Sequence, residues 1–245
     1  MADPLYDARI AALDAASDTG MHAPEVVSAT VEFLAELAGE GPALEFGVGT
    51  GRIAVPLRHR GVPVSGIDLS PHMVAKLRER PGGEDIEVVI GDMATARVDG
   101  AFTLVYVIWN SFINLLTQHE QVKCFQNAAS HLRPGGYLVI DTMSPLPHLQ
   151  RLPPGETVRA FAVGEDRLGF DEYDVLNQRL TSHHYWAEES RWVRWSTPCR
   201  YVWPSELDLM AQIAGLTFRG RWAYWNREPF KAESSTHISV WQKPA

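Results

Sequence analysis

The stretch ALEFGVGTGRIAVPL, Ala43 to Leu57, joins a short apolar run to three glycines at alternate positions, Gly47, Gly49 and Gly51. Glycine adopts backbone conformations that other residues avoid, and its missing side chain lets the backbone approach a ligand closely. A strand that turns into a helix around such glycines is typical of a site for a nucleotide-like ligand. The stretch therefore predicts a β-α unit with a ligand at its turn.

The rest of the chain alternates predicted strands with predicted helices. Two amphipathic helices precede the glycine turn, and another begins at Ser70-Pro71, a cap followed by a first-turn proline. Thr117 and Glu120 form a capping box for a helix through His131, which the RPGG turn, 133–136, ends. Strands are predicted at 43–47, 62–68, 86–92, 102–109 and 137–141. Several are continuous apolar runs, so we expect a doubly wound α/β core around a mostly parallel sheet.

The sequence changes character between Arg151 and Trp203. Its β-rich runs ETVRAFAV, LTSHHYW and RWVRWST lack helical periodicity and are separated by turn-like clusters. We expect a small antiparallel β insertion there. Pro204 then begins a helix, and LTFRGRWAYW and THISVWQK predict two closing strands, which brings the sheet to seven. The length of 245 residues favours a single domain, 1–245, that carries the insertion 151–203.

Composition narrows the possible partners and locations. The net charge of -8 and the lack of a dense Lys/Arg cluster disfavour a nucleic-acid partner. Cys124 and Cys199 stand far apart in no metal-ligand spacing, which predicts buried thiols in a reduced compartment and no bound metal. The N-terminus carries no signal pattern, and the longest strongly apolar run, 102–109, is too short to cross a bilayer. We therefore expect a cytoplasmic protein without a membrane partner, and we consider a homodimer as its assembly.

Acidic residues follow the second and third predicted strands. Asp68 stands where a carboxylate can accept hydrogen bonds from both hydroxyls of a ribose. Asp92 and Met93 stand where an acid and a thioether could border an adenine. A dinucleotide fingerprint, GxGxxG, would require a glycine at Arg52, whereas the chain has ExGxGxG from Glu45 to Gly51. The pattern favours an adenosine-containing ligand other than NAD.

These motifs together resemble the class I S-adenosylmethionine-dependent methyltransferases, over roughly Ala43 to Asp141. ExGxGxG, Asp68, the GDM of 91–93 and RPGG before a strand occur in the order of that family. The resemblance implies a glycine turn under the methionine part of the cofactor, a second-strand acid on the ribose and a third-strand acid near the adenine. It implies S-adenosylmethionine contacts at Glu45, Gly47, Gly49, Gly51, Asp68, Leu69, Met73, Asp92, Met93, Trp109 and Asn110.

The resemblance also bears on the acceptor. After the fourth strand the chain has WNSFINL, 109–115, instead of the acidic or Asn-Pro-Pro-Tyr motif of many amino and nucleic-acid methyltransferases. It is similar to the small-molecule branch, which implies methyl transfer to an oxygen or nitrogen of a metabolite. The family also ends in an antiparallel strand at the sheet edge, and the insertion would then serve as a lid over the acceptor.

Methyl transfer from a sulfonium is an in-line displacement with an activated donor, so alignment and exclusion of water dominate catalysis. A weak base is enough to remove the acceptor's proton. Tyr6, on a helix that would cover the cofactor, and His184 are the catalytic candidates. Of the pair His183-His184 only one can face a pocket, because strand side chains alternate. Core packing for Tyr6 and a solvated position for the histidines are the alternative interpretations.

Two further questions stay open at the level of sequence. The late tryptophans suit either an acceptor cleft or the core of the insertion or a dimer contact; they are Trp186, Trp192, Trp195, Trp203, Trp222 and Trp225. The alternative functions are an NAD(P)-dependent oxidoreductase and a non-catalytic protein that binds the adenosyl cofactor. The displaced third glycine and the closing strands argue against the first alternative.

Overall fold

The computed structural model describes residues 6–189 and 191–245. In this part of the chain the α-helices are α1 (Ala8–Ala16), α2 (Pro24–Ala38), α3 (Ala54–His59), α4 (Pro71–Arg78), α5 (Gln118–His131), α6 (Pro145–Leu149) and α7 (Pro204–Ile213). The strands are β1 (Ala43–Phe46), β2 (Val64–Asp68), β3 (Glu87–Ile90), β4 (Phe102–Val107), β5 (Leu132–Met143), β6 (Val158–Val163), β7 (Arg167–Asp174), β8 (Arg179–Glu188), β9 (Arg191–Arg200), β10 (Thr217–Trp222) and β11 (Thr236–Gln242).

Within the described residues, a seven-stranded sheet has the order β10-β11-β5-β4-β1-β2-β3. β1 pairs in parallel with β2 and with β4, and β4 pairs in parallel with β5. β11 runs antiparallel to both of its neighbours, β5 and β10. The predicted doubly wound, mostly parallel sheet with an antiparallel closing strand is confirmed.

The central strands are buried on both faces because helices cover both. Val105 and Val107 of β4 belong to an apolar cluster with α5 and α7. Leu104 and Tyr106 of the same strand point to the other face, into a cluster with α2 and α3. Their burial explains why β4 is a continuous apolar run. The sheet therefore forms a rigid platform whose strand ends can position a site.

The local signals for helix starts are borne out, whereas RPGG behaves differently from expectation. The Ser70 hydroxyl accepts a hydrogen bond from the Met73 amide, 3.3 Å, and Thr117 and Glu120 form the expected capping box on α5. Residues 133–136 are the first part of β5 instead of a turn before it. The cause is the C-terminal segment, since the Gly135 amide donates to the Lys243 carbonyl at 2.9 Å.

The predicted insertion forms an antiparallel sheet of its own, with the order β6-β7-β8-β9 in the described residues. Strand β7 had no predicted counterpart, because its acidic residues Asp171, Glu172 and Asp174 have low strand propensity. Arg200 ties the base of this second sheet to the core. Its guanidinium donates to Glu206 at 2.6 Å, at the start of α7. Among the described residues, no helix combines the length and apolarity that a bilayer span requires.

Candidate active site

A cavity of about 1090 Å³ lies between the carboxyl ends of the central parallel strands and the second sheet. Ligands of doubly wound sheets bind at such strand ends, where the chain order reverses. The cavity lining includes the glycine turn after β1, the residues after β2, β3 and β4, and one face of β7, β8 and β9. Two distinct surfaces thus border one space, as a reaction between two bound molecules requires.

The structure brings nearly all predicted site residues to this cavity. The lining includes both catalytic candidates, Tyr6 and His184. It also includes Glu45, Gly47, Gly49, Asp68, Leu69, Met73, Asp92, Met93, Trp109 and Asn110.

Gly51 is the exception among these residues. It has a φ of +75° and lies outside the cavity lining. A Cβ atom at this position would lie 2.8 Å from Cγ of Leu77 and 3.3 Å from Cγ2 of Val55. The third glycine is therefore needed because α3 and α4 pack closely at this point.

Asp68 holds the glycine turn against the end of β2. Its Oδ2 atom accepts a hydrogen bond from the Gly49 amide at 2.7 Å, and its Oδ1 atom accepts one from the Ser70 amide at 2.8 Å. The Gly47 amide donates to the Ile67 carbonyl at 2.7 Å. A carboxylate has about four lone-pair positions, and the two hydroxyls of a ribose are donors that suit such an acceptor.

Asp92 plays a similar structural part after β3. Its Oδ1 atom accepts a hydrogen bond from the Ala94 amide at 2.7 Å, which closes a tight turn. The neighbouring Met93 carbonyl accepts from the Asn127 side chain of α5 at 2.8 Å. The turn therefore presents an acid and a thioether at the cavity wall, as an adenine pocket would need.

Glu45 is an acid buried at the floor of the cavity. Only 3% of its surface is exposed, and it accepts a hydrogen bond from the Tyr106 hydroxyl at 3.0 Å. Burial, reinforced by the charge of Asp68, raises the pKa of Glu45 well above its ordinary range. A cationic group bound above this carboxyl, such as the ammonium of a methionine chain, would stabilise its ionised form.

The loop after β4 has an unusual backbone. Trp109 and Asn110 have φ angles of 56° and 62°, a left-handed conformation that costs energy for residues with side chains. Neighbouring groups of β5 compensate, because Oδ1 of Asn110 accepts from the Met143 amide at 2.7 Å and Oδ2 of Asp141 accepts from the Trp109 amide at 3.1 Å. Asn110 therefore orients the loop, and Trp109 projects its ring to the cavity.

Arg52 is a site residue that the glycine motif did not identify. Its guanidinium lies over the Trp109 ring, and the His22 ring stacks on Trp109 with 5.1 Å between centroids. Nη2 of Arg52 donates to Asp14 at 2.6 Å. Nε and Nη1 of Arg52 and Nε1 of Trp109 are buried without a partner among the described residues. The only sign in the sequence is that Arg52 replaces the third glycine of a dinucleotide fingerprint.

The unpartnered donors fit a carboxylate, because buried donors normally find an acceptor and a guanidinium binds carboxylates in two-pronged fashion. The methionine part of S-adenosylmethionine carries such a carboxylate. Asp68 and Asp92 fit its ribose and adenine, and Glu45 fits its ammonium. Bound there, the cofactor would supply the activated methyl group, and these residues would hold it in place.

The N-terminal helix α1 connects the two surfaces of the cavity. The Tyr6 carbonyl accepts from the Ser70 hydroxyl at 2.6 Å, and the Tyr6 hydroxyl accepts from the Asn114 amide at 3.0 Å. The ring of Tyr6 meets that of Trp195 edge-on, 6.1 Å between centroids. Arg9 forms a 2.6 Å ion pair with Glu188 at the far end of β8. Tyr6 therefore lies where the cofactor surface meets the second sheet.

His184 faces the cavity, whereas its neighbour His183 faces away. The His183 ring bonds to the hydroxyl of Ser196 at 2.8 Å and to Glu172 at 3.2 Å. The His184 ring packs between Trp186 and Trp195, at 5.7 and 5.1 Å between centroids. Burial, and next the charge of Arg167, lower the pKa of His184. The lowered pKa favours the neutral form of the imidazole, which can accept a proton.

The late tryptophans separate into two groups. Trp195 borders the cavity and Trp186 packs on His184, which is consistent with a role in acceptor binding. Trp222 and Trp225 instead pack edge-on against Phe33 of α2, outside the cavity lining. They belong to the core beside the closing strands.

Cys124 and Cys199 are unpaired and buried. Burial raises the pKa of the Cys199 thiol to about 12. In the described part of the chain, no three His, Cys, Asp or Glu side chains are grouped closely enough to hold a metal ion.

Comparisons with known proteins also indicate a methyltransferase. A methyltransferase-domain family profile matches residues 43–136. The CcbJ methyltransferase from Streptomyces caelestis is 34% identical, and its solved structure has a TM-score of 0.87 over 98% of both chains. The cypemycin N-terminal methyltransferase of a Streptomyces species is 26% identical over 202 residues, 82% of each chain. The S-adenosylmethionine-bound structure of CalS10, an amino pentose methyltransferase from Micromonospora echinaspora, has a TM-score of 0.69 at 18% identity, over 98% of this chain and 99% of that one.

The fold and the cavity are those of a class I methyltransferase, and the similarity to CcbJ over nearly the whole chain assigns the family. The chain belongs to the S-adenosylmethionine-dependent methyltransferases. The resemblance seen in the sequence is confirmed, with S-adenosylmethionine as the cofactor. The oxidoreductase and the non-catalytic binding protein are set aside.

Proposed function

We propose that this enzyme transfers the methyl group of S-adenosylmethionine to an amine nitrogen of a small molecule. The observation that carries the proposal is the single cavity that joins the cofactor surface to the inner face of the second sheet. Similarity to an N-terminal methyltransferase and to a sugar N-methyltransferase supports nitrogen over oxygen.

The cofactor surface and the acceptor surface are contributed by different parts of the chain. The residues proposed to hold the cofactor follow β1, β2, β3 and β4. The second sheet, within the insertion 151–203, covers the other side and serves as a lid that positions the acceptor and excludes water. Alignment of nitrogen, methyl and sulfur then supplies most of the acceleration.

The acceptor amine must present a free lone pair to the methyl group. Burial lowers the pKa of His184 and so favours its neutral ring, which could take up the proton that the amine loses. Tyr6, at the junction of the two surfaces, is placed to orient the acceptor through its hydroxyl. In this proposal both residues contact the acceptor, and neither binds the cofactor.

In this proposal the acceptor is a small molecule, and the enzyme works in a reducing compartment. The net charge of -8 disfavours a nucleic-acid acceptor. Two buried, unpaired thiols are typical of cytoplasmic proteins, so we infer a cytoplasmic location.

Deleting the insertion would be a poor test of the lid, because the second sheet contributes to the core. Tyr173, Leu180 and Cys199 are buried in the same apolar cluster as Leu207 of α7. Point variants are sharper. Trp195→Ala, which alters the cavity wall, should lower turnover at least tenfold and leave the affinity for S-adenosylmethionine within about twofold. Trp192→Ala, a half-exposed position on the same strand, is the control and should change neither value.

The acceptor atom is tested with matched pairs of an amine and the corresponding alcohol, using S-adenosylmethionine with a deuterated methyl group and mass spectrometry of the product. We expect label on the amines only. Label on the alcohols, or equal loss of cofactor affinity in the Trp195 and Trp192 variants, would contradict the proposal.

A further inference from the structure

The cavity face of the second sheet carries a polar row across three strands. Asp171 of β7 is opposite Ser182 of β8, and Ser182 is opposite Thr197 of β9. Side chains that are opposite one another in register share a face of a sheet, and these three line the cavity. The Ser182 hydroxyl donates to Oδ1 of Asp171 at 2.5 Å, which fixes the carboxylate.

Unpartnered polar atoms surround this row. Oγ1 of Thr197, the hydroxyl of Tyr173 and Nδ1 of His184 are buried and form no hydrogen bond within the described residues. Thr197 is 7% exposed and Tyr173 only 2%. A buried polar group without a partner is costly, and native proteins rarely keep one unless a ligand or water satisfies it. Three such atoms on one cavity wall indicate that a bound molecule supplies their partners.

The chemistry of the wall restricts that molecule. The hydroxyls of Thr197 and Tyr173 both donate and accept, whereas the Asp171 carboxylate only accepts. An alcohol hydroxyl can pair with either kind of group. The Trp195 ring borders the same wall and offers a flat apolar surface. A saturated ring with several hydroxyls matches both features, because its C–H face covers the indole and its hydroxyls reach the polar row.

Asp171 forms no ion pair among the described residues. Arg159 of β6 is opposite it in register, yet no bond joins their side chains in that part of the structure. Its negative charge is felt by its neighbours, since after burial it is the next cause that raises the pKa of Tyr173, to about 12. The carboxylate is thus available to a cationic or hydroxyl-bearing ligand.

We propose that the acceptor is a polyhydroxylated saturated ring that carries the amine, an amino-sugar type of molecule, with its hydroxyls on the row Asp171–Ser182–Thr197 and on Tyr173. This inference rests on the proposed N-methylation. It goes further by assigning the second sheet a specificity role for hydroxyl groups.

The test compares ring amines that differ only in hydroxyl groups. Amino hexoses with the amine at carbon 2, 3 or 4 are set against cyclohexylamine, by titration into enzyme saturated with S-adenosylhomocysteine and by turnover with S-adenosylmethionine. The double variant Thr197→Val/Tyr173→Phe removes two hydroxyls with little change of shape. Glu172→Gln, on the opposite face of β7, is the control.

We expect at least one amino hexose to bind at least about tenfold more tightly than cyclohexylamine. The double variant should lose that preference but keep its affinity for the cofactor. The Glu172→Gln control should keep both the preference and the cofactor affinity. Equal or tighter binding of cyclohexylamine, or a preference that survives the double variant, overturns the inference. Failure of the proposed function looks different, because an amino hexose would then bind through these residues without yielding an N-methylated product.

Discussion

The guanidinium carbon of Arg52 lies 3.8 Å from the centre of the Trp109 ring. This contact joins the glycine turn after β1 to the loop after β4, the two segments on either side of the proposed methionine site. Asp14 holds the outer nitrogen of the same guanidinium at 2.6 Å. Arg52 is therefore fixed before any ligand binds, with Nε and Nη1 still without partners in the described residues.

Arg52→Gln tests the proposed carboxylate contact. We expect affinity for S-adenosylmethionine to fall at least tenfold, because a hydrogen bond to a charged group contributes about 1.5–3 kcal/mol. Methylthioadenosine, which lacks the amino-acid chain, should bind to wild type and variant alike in calorimetry. Arg60→Gln, an exposed arginine paired with Glu32, is the control. Equal losses for both ligands would show that Arg52 supports the loop and not the carboxylate.

Asp68→Ala should impair both cofactor binding and stability. The variant loses the proposed ribose acceptor and leaves the Gly49 and Ser70 amides without their partner. We expect at least a tenfold weaker Kd, and unfolding that is easier by about 1–3 kcal/mol. Calorimetry and thermal melting measure the two effects. An unchanged Kd in a folded variant would remove Asp68 from the cofactor site.

Gly49→Ala and Gly51→Ala separate a ligand contact from a packing position. Both glycines have positive φ, so both variants carry some strain. Only at Gly51 does the added methyl group meet Leu77, so that variant should lose about 1–3 kcal/mol more stability. Gly49→Ala should weaken cofactor binding the more. The reverse ranking, seen by melting and calorimetry, would restore Gly51 as the ligand contact.

Asp141→Asn tests a buried carboxyl beneath the loop. Burial raises the pKa of Asp141 from 3.8 to about 6. The folded state thus binds this proton more tightly than the unfolded state, and stability falls as the pH rises through this window. Relative to wild type, the free energy of unfolding of the variant should rise by about 2–2.5 kcal/mol between pH 4 and pH 7 in denaturant titrations. A pH-independent difference would contradict this assignment, because it would mean that folding does not shift the titration of Asp141 within this window.

The sequence predicts what depends on periodicity and on motifs in a fixed order. Continuous apolar runs indicated the parallel strands, and ExGxGxG with Asp68 and Asp92 located one side of the cavity. Arg52 escaped prediction, because its meaning depends on Asp14 and Trp109, which only the fold brings together.

The acceptor wall could not be predicted for a related reason. Asp171, Ser182 and Thr197 are ordinary polar residues until antiparallel register aligns them. Strand β7 itself was not predicted, because its acidic residues have low strand propensity and one of its faces is exposed. At Gly51, packing against Leu77 gives a reason for the glycine that the motif alone did not reveal.

A crystal structure with S-adenosylhomocysteine tests the central claim most directly, namely that the cofactor lies along the ends of β1 to β4 and leaves the face of the second sheet to the acceptor. We predict that its carboxylate contacts Arg52, its ribose contacts Asp68 and its adenine lies beside Asp92. The bound molecule should make no contact with Thr197 or Tyr173. A cofactor placed against the second sheet, or one whose carboxylate lies away from Arg52, would contradict the account.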